Sequence, residues 1–133
     1  MATTQDALQI STIIPSLTVD DLKKSIVFYE TLGFTVDERW EDNGTLLGVM
    51  MRAGKTQLGL NQDDWKKGRD RQKGIGMRLS MLTTQKVDEI AERARGAGIT
   101  LKSEPHDTEW NSRAFEVVDP SGFILTIASE TPA

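Results

Sequence analysis

The single histidine, His106, is the side chain best suited to acid-base or metal chemistry near neutral pH. It stands in a polar stretch, residues 104–109, that contains a proline and several acidic residues. Such a stretch is more often a solvated loop than a site, and no second histidine is present to activate a serine or threonine. The chain has no cysteine, which excludes disulfides, thiolate nucleophiles and cysteine-ligated metals. These side chains therefore predict no catalytic residue.

A basic run at residues 66–73 is a second candidate, for binding phosphate or carboxylate groups. Asp63, Asp64 and Asp70 largely balance it, and no glycine-rich loop stands between a strand and a helix in the phosphate-binding order. The whole chain carries 16 Lys and Arg against 20 Asp and Glu. Its apolar run at 46–51 is far shorter than the roughly twenty residues of a membrane span. We therefore expect neither nucleic acid nor a membrane as a partner.

Three tryptophans, Trp40, Trp65 and Trp110, offer apolar area and stacking faces for planar or cationic ligands. Ordinary packing is the alternative for each of them. Trp65 lies among charged residues, where a helix staple or a dimer contact would explain it equally well.

The elements that must position these side chains occur twice along the chain. Strands are predicted at 10–19, 34–41, 45–52 and 56–61, with a helix at 20–32. The second half repeats the order with a strand at 77–83, a helix at about 85–97 and three further strands. Matching sequences end the two helices, Gly33-Phe34-Thr35-Val36 and Gly98-Ile99-Thr100-Leu101, as an internal duplication predicts.

We therefore predict one α+β domain of two βαβββ modules, at about 10–61 and 74–129, whose paired curved mixed sheets form a concave cup. A polar segment at about 62–73 is predicted to be a linker helix, residues 1–9 a disordered lead-in and residues 130–133 a tail. A length of 133 residues suits one domain, and a cup is a natural small-molecule site. The N-terminal residues lack the features of a signal peptide, so a cytoplasmic location is expected.

Four segments in the first module resemble the opening of the vicinal oxygen chelate superfamily: Ile14–Leu22, Ser25, Phe28-Tyr29 and Leu32-Gly33-Phe34. That superfamily includes glyoxalase I, extradiol dioxygenases, fosfomycin-resistance enzymes and bleomycin-resistance proteins. Its final hairpin is similar to a second set of residues: Trp110, Arg113, Phe115 and Asp119-Pro120-Ser121-Gly122. The resemblance covers residues 10–129 and implies the same duplicated fold.

The resemblance also implies where a metal would bind. Enzymatic members usually place four His, Gln or Glu ligands on the concave face, from the first and last strand of each module. The matching positions here hold Ile14, Gly59, Met77 or Leu79, and Thr126. Aliphatic groups and a glycine offer no lone pair, and one threonine hydroxyl is a poor ligand by itself. We therefore predict no metal and no other cofactor.

The pattern looks most like the bleomycin-resistance branch, whose members bind a drug in an apolar, aromatic-lined crevice. Strand alternation places Gln57 and Asn61 on the concave face with Gly59, as candidate polar anchors, although hydrogen bonding at the strand end would explain them nearly as well. Met81 is also expected to face the cup. The predicted ligand-binding residues are Ile14, Gln57, Asn61, Met77, Leu79 and Trp110, and the expected ligand is an organic molecule such as an aromatic compound or an antibiotic.

Members of that branch form dimers with an exchanged first strand and a proline near its start, which Pro15 matches. We therefore expect a homodimer, with or without exchange. Two other functions stay open. One is a glyoxalase- or dioxygenase-like lyase or isomerase with a non-standard site, for which Glu116 or His106 would have to face the cup. The other is a regulatory domain with a vestigial cup.

Overall fold

The computed structural model describes residues 7–130, so the predicted lead-in at 1–9 and tail at 130–133 lie mostly outside the described residues. Each module contains four strands and one helix in the predicted order. The first module consists of β1 (Ser16–Val19), α1 (Leu22–Leu32), β2 (Thr35–Asp42), β3 (Thr45–Ala53) and β4 (Thr56–Gln62). The second consists of β5 (Arg78–Thr83), α2 (Val87–Gly96), β6 (Leu101–Asp107), β7 (Arg113–Val118) and β8 (Ile124–Ser129).

The two sheets have the same topology. Their strand orders are β1-β4-β3-β2 and β5-β8-β7-β6. In each, the first and last strands of the module pair in parallel, and the remaining neighbours pair antiparallel. This arrangement confirms the predicted α+β fold of two βαβββ modules with mixed sheets.

Helix α1 forms within the predicted range of residues 20–32, as its apolar spacing indicates. The side chain of Asp21 accepts a hydrogen bond from the backbone amide of Lys24, and Gly33 ends the helix in the left-handed conformation at φ 113°. The buried residues of the helix follow a helical spacing and pack into the core: Leu22, Ile26, Phe28, Tyr29 and Leu32. Within residues 7–130, no helix is long and apolar enough to cross a membrane.

One hydrophobic core joins the two modules, because buried side chains from both sheets and both helices form a single cluster. Polar contacts connect the modules as well. The Tyr29 hydroxyl donates to Asp119 Oδ2 at 2.8 Å, and Arg93 Nη2 donates to the carbonyl oxygen of Leu32 at 3.0 Å. The helix of each module is therefore attached to the other module.

The predicted linker helix at 62–73 is wrong, because β4 continues to residue 62 and residues 63–77 contain no helix. The buried carboxylate of Asp63 accepts from the backbone amide of Trp65 and forms an ion pair with Lys73 Nζ at 2.9 Å. These contacts, the Trp65 amide above all, hold the pKa of Asp63 well below its usual range. A side chain that binds nearby backbone competes with helix formation, and Trp65 has a positive φ of 63°.

The first strand is shorter than predicted. The sequence indicates a strand from residue 10, but β1 begins at Ser16, and residues 7–15 contain neither helix nor strand. The parallel pairing of β1 with β4 ends, toward the N-terminus, with a hydrogen bond from the Gly59 amide to the Pro15 carbonyl oxygen. Proline has no amide to donate, which explains why the pairing stops there.

Candidate ligand-binding groove

A cavity of about 680 Å³ opens between the two modules, and we refer to it as the groove. This volume is in the range typical of small-molecule sites. Most of its walls are apolar, and both modules contribute to them. The apolar side chains include Leu32, Phe34, Leu58, Leu79, Met81 and Ile90.

The groove lies where two strand edges come near each other without pairing. Strand β1 pairs with β4 only from Gly59 onward, so residues 56–58 of β4 have no partner from β1. Strand β5 is the end strand of the other sheet. Residues from both of these edges line the groove. Unpaired strand edges present backbone donors and acceptors, so the groove combines apolar walls with polar backbone groups.

Gln57 is the predicted polar anchor that the structure places in the groove. Its Nε2 donates to Asp37 Oδ2 at 2.9 Å. The same oxygen accepts from Nε and Nη2 of Arg52, which lowers the pKa of Asp37 below its ordinary value. The amide group of Gln57 is therefore oriented by a charged network, as a polar group that positions a ligand must be.

Four other predicted site residues do not line the groove. Asn61 donates through Nδ2 to the Ser16 hydroxyl at 2.6 Å, which is the strand-end role considered for it. Ile14 and Met77 are exposed just before β1 and β5. Trp110 is 79% exposed in the turn before β7. The structure thus does not bring these four residues together with Gln57.

Leu79 lines the groove, but not from the predicted side. It pairs with buried Leu125, Met81 pairs with buried Ile127, and both Leu79 and Met81 pack against the core. The prediction that they face the cup is therefore wrong. We call the face of each sheet that points away from the core its open face. A shift of one residue exchanges the two faces of a strand, so the open face of β5 carries Arg78, Ser80 and Leu82 instead.

A charged cluster on the open face of the second sheet was not predicted. Arg78 Nη2 lies 3.2 Å from Glu116 Oε2, and the Thr126 hydroxyl donates to the same oxygen at 3.3 Å. Glu116 is one of the two residues named above for a cup-facing role, whereas Arg78 is not among the predicted site residues. His106 is the other residue considered for that role, and its Nδ1 lies 2.8 Å from the Glu104 carbonyl oxygen.

The residues at the expected ligand positions do not fit a divalent metal. Gly59 and Thr126 lie on the open faces with Arg78 as the charged residue of β5, and Ile14 lies before β1. A guanidinium is cationic and donates only, so it repels a metal ion rather than binding one. Among residues 7–130, no group of three or more His, Cys, Asp or Glu side chains is arranged to hold a metal.

Comparisons with known proteins agree on the fold. A glyoxalase/bleomycin resistance protein/dioxygenase from Nocardioides has 22% identity and a TM-score of 0.70, with 96% of this chain and 89% of that chain covered. Lactoylglutathione lyase from Agrobacterium tumefaciens has 20% identity and a TM-score of 0.67, with 91% and 95% covered. TioX from Micromonospora sp. ML1 has 18% identity and a TM-score of 0.73, with 90% and 98% covered.

Identities this low show a shared fold alone. A search of curated proteins finds no match. A family model described as the Glyoxalase/Bleomycin resistance protein/Dioxygenase superfamily matches residues 9–127, which is most of the chain. The chain therefore belongs to the Glyoxalase/Bleomycin resistance protein/Dioxygenase superfamily.

Proposed function

We propose that this protein binds a small organic molecule in the groove without the help of a metal. The observation that carries the proposal is a cavity of about 680 Å³ with mostly apolar walls at the junction of the two modules. Burial of apolar ligand surface in such a cavity supplies the main favourable free energy. Gln57 and Ser80 are polar residues of the groove that would orient the ligand.

The chemistry of the residues supports binding without a metal. A divalent ion in this superfamily would require oxygen or nitrogen ligands at positions that hold an isoleucine, a glycine, a threonine and, on or just before β5, a methionine or a leucine next to Arg78. Binding by apolar contact and a few hydrogen bonds needs none of these ligands. Purified protein soaked in zinc, nickel and manganese is expected to retain no stoichiometric metal by elemental analysis, and one tightly bound ion per chain would contradict the proposal.

The neutral fluorescent probe N-phenyl-1-naphthylamine tests the groove directly. We expect saturable binding of one probe per chain, measured by fluorescence titration, and displacement by at least one member of a panel of antibiotics, aromatic diols and thiol conjugates. Ser80→Phe places a large side chain in the groove and should weaken probe binding by about tenfold or more, a loss of about 1.4 kcal/mol.

Thr18→Phe is the matched control, because Thr18 is exposed on the open face of β1 and does not line the groove. This variant should bind the probe as the wild type does. Equal binding by Ser80→Phe and the wild type, with both folded by circular dichroism, would show that the groove is not the site.

We also propose that the protein acts as a homodimer through its N-terminal segment, residues 7–15. Ile10, Ile13 and Ile14 in this segment are exposed, and exposed apolar residues close together favour association. Ile13 and Pro15 also border the groove. A second copy would therefore cover apolar surface beside the ligand site.

A further inference from the structure

The open face of the second sheet is mostly apolar around the cluster of Arg78, Glu116 and Thr126. Three cross-strand rows cover it, and the pairing places Arg78 beside Ile124 and Ser80 beside Thr126. In the central row, Thr126 is next to Glu116. The other positions of these rows on β5, β8 and β7 hold apolar residues, Val118, Leu82, Ala128 and Ala114, whereas β6 adds Ser103 beside Glu116 and His106 beside Ala114. Arg78 is therefore the single Lys or Arg of these rows, and Glu116 their single carboxylate.

The two charged side chains differ in their access to a ligand. The Arg78 side chain is 53% exposed, whereas that of Glu116 is 18% exposed. Glu116 uses one oxygen, Oε2, for both Arg78 and Thr126, and Arg78 approaches it through Nη2. The other N–H donors of the Arg78 guanidinium are thus directed away from Glu116. The Glu116 carboxylate lies beneath the guanidinium and fixes the position of Arg78.

The cluster is also continuous with the groove. Strand β5 places Arg78, Ser80 and Leu82 on one face, and Ser80 and Leu82 line the groove. Alternate residues of a strand are about 7 Å apart, so the Arg78 backbone lies about 7 Å from that of Ser80. A molecule with an apolar body in the groove could therefore reach Arg78 with one end.

We infer that Arg78 binds an anionic oxygen of the ligand, so that the ligand is an organic anion with an apolar body and a carboxylate or similar oxyanion. The inference rests on the proposed function and identifies the class of ligand for that groove. The guanidinium supplies positive charge on a strand from which a metal ligand is expected in this superfamily. Glu116 and Thr126 act as positioning residues for Arg78.

Two fluorescent probes with the same aromatic skeleton test this inference. The anion 1-anilinonaphthalene-8-sulfonate differs from neutral N-phenyl-1-naphthylamine by its sulfonate group. The wild type should bind the sulfonate about tenfold more tightly, as one charge-assisted contact implies. Arg78→Gln should abolish this difference while changing the affinity for the neutral probe less than twofold, which separates loss of charge from loss of fold. Higher NaCl should reduce the preference for the sulfonate in the wild type.

Two further variants sharpen the test. Arg95→Gln removes an arginine that is ion-paired with Glu92 and Glu104 and does not line the groove, so it should keep the wild-type preference. Glu116→Gln keeps a side-chain oxygen that can accept from Arg78 and so hold it in place, but removes the negative charge beside the bound anion, so sulfonate affinity should rise a few fold while neutral-probe affinity stays within twofold.

The outcomes distinguish the inference from the proposed function. Neutral-probe binding without a preference for the sulfonate, or a preference that survives in Arg78→Gln, would overturn the inference alone. Absence of neutral-probe binding to the wild type would overturn the proposed function and the inference with it.

Discussion

At the residue scale, the side chains that carry the resemblance to the superfamily mainly hold the fold together. Buried Tyr29 donates to Asp119 in the other module, and Asp119 Oδ1 accepts from the backbone amides of Ser121 and Phe123, each at 2.9 Å. Burial, and then the nearby charge of Asp119, raise the pKa of Tyr29 far above its ordinary value. The tyrosine therefore stays protonated and keeps donating, so these motif residues identify the scaffold and not the chemistry of the site.

Replacing Tyr29 by phenylalanine tests this structural role. Tyr29→Phe removes one donor from a buried carboxylate while keeping the aromatic ring, so the free energy of unfolding should fall by about 1–3 kcal/mol. Urea denaturation followed by circular dichroism measures the change. An unfolding midpoint equal to that of the wild type would contradict the role, and unchanged binding of the neutral probe in the folded variant is the control for the groove.

At the element scale, the two helices occupy equivalent places in their modules but begin differently. Asp21 caps α1 through its carboxylate, whereas the N-cap of α2 is Lys86, whose side chain makes no capping hydrogen bond. Lys86 has extended backbone angles, φ −73° and ψ 115°. A lysine at this end also places positive charge near the positive end of the helix dipole. The second helix therefore starts without the side-chain cap that stabilises the first.

An acidic cap on α2 should stabilise the protein. Lys86→Asp supplies the missing acceptor and removes the unfavourable charge, so the free energy of unfolding should rise by about 1 kcal/mol, as measured by urea denaturation. Asp21→Ala is the matched control for α1 and should lower it by a similar amount. No gain from Lys86→Asp would mean that the amides of the first turn of α2 already have adequate partners.

At the scale of the whole molecule, the late start of β1 accounts for both the groove between the two sheets and an exposed apolar segment. The late start of β1 leaves part of the β4 edge without a partner from β1, and the same late start leaves Ile10 and Ile13 outside the sheet, 58% and 79% exposed. One break in strand pairing, at Pro15, thus accounts for both features. This connection is the physical basis for the proposed homodimer.

Changing the N-terminal segment should weaken the dimer. The double variant Ile10→Ser with Ile13→Ser removes apolar surface from the proposed contact, so its dimer dissociation constant should rise at least tenfold, measured by size-exclusion chromatography with light scattering. Val27→Ser is the control, since Val27 is similarly exposed on α1, far along the chain from this segment. A wild type that is monomeric at every concentration would contradict the proposed dimer.

The sequence by itself determined the order of the elements, the duplication and the superfamily. The glycine that ends α1, Gly33, and the repeated element order are local properties that hydrophobic spacing and backbone preference already express. The types of residue at the expected metal positions were also readable from the matched motifs. The placement of Gln57 on the same face of β4 as Gly59 and Asn61, opposite the buried Leu58 and Leu60, followed from simple alternation.

Only the tertiary structure decided which face of β5 is buried, how residues 63–77 run and where the groove lies. Strand β5 has leucines on both of its faces, so its own pattern does not identify the core side, and the choice depends on pairing with Leu125 and Ile127. The loop depends on contacts of Asp63 with Arg71 and Lys73, and the pairing of Arg78 with Glu116 joins residues distant in sequence. Such long-range contacts arise when the chain folds and leave no periodic signal in the sequence.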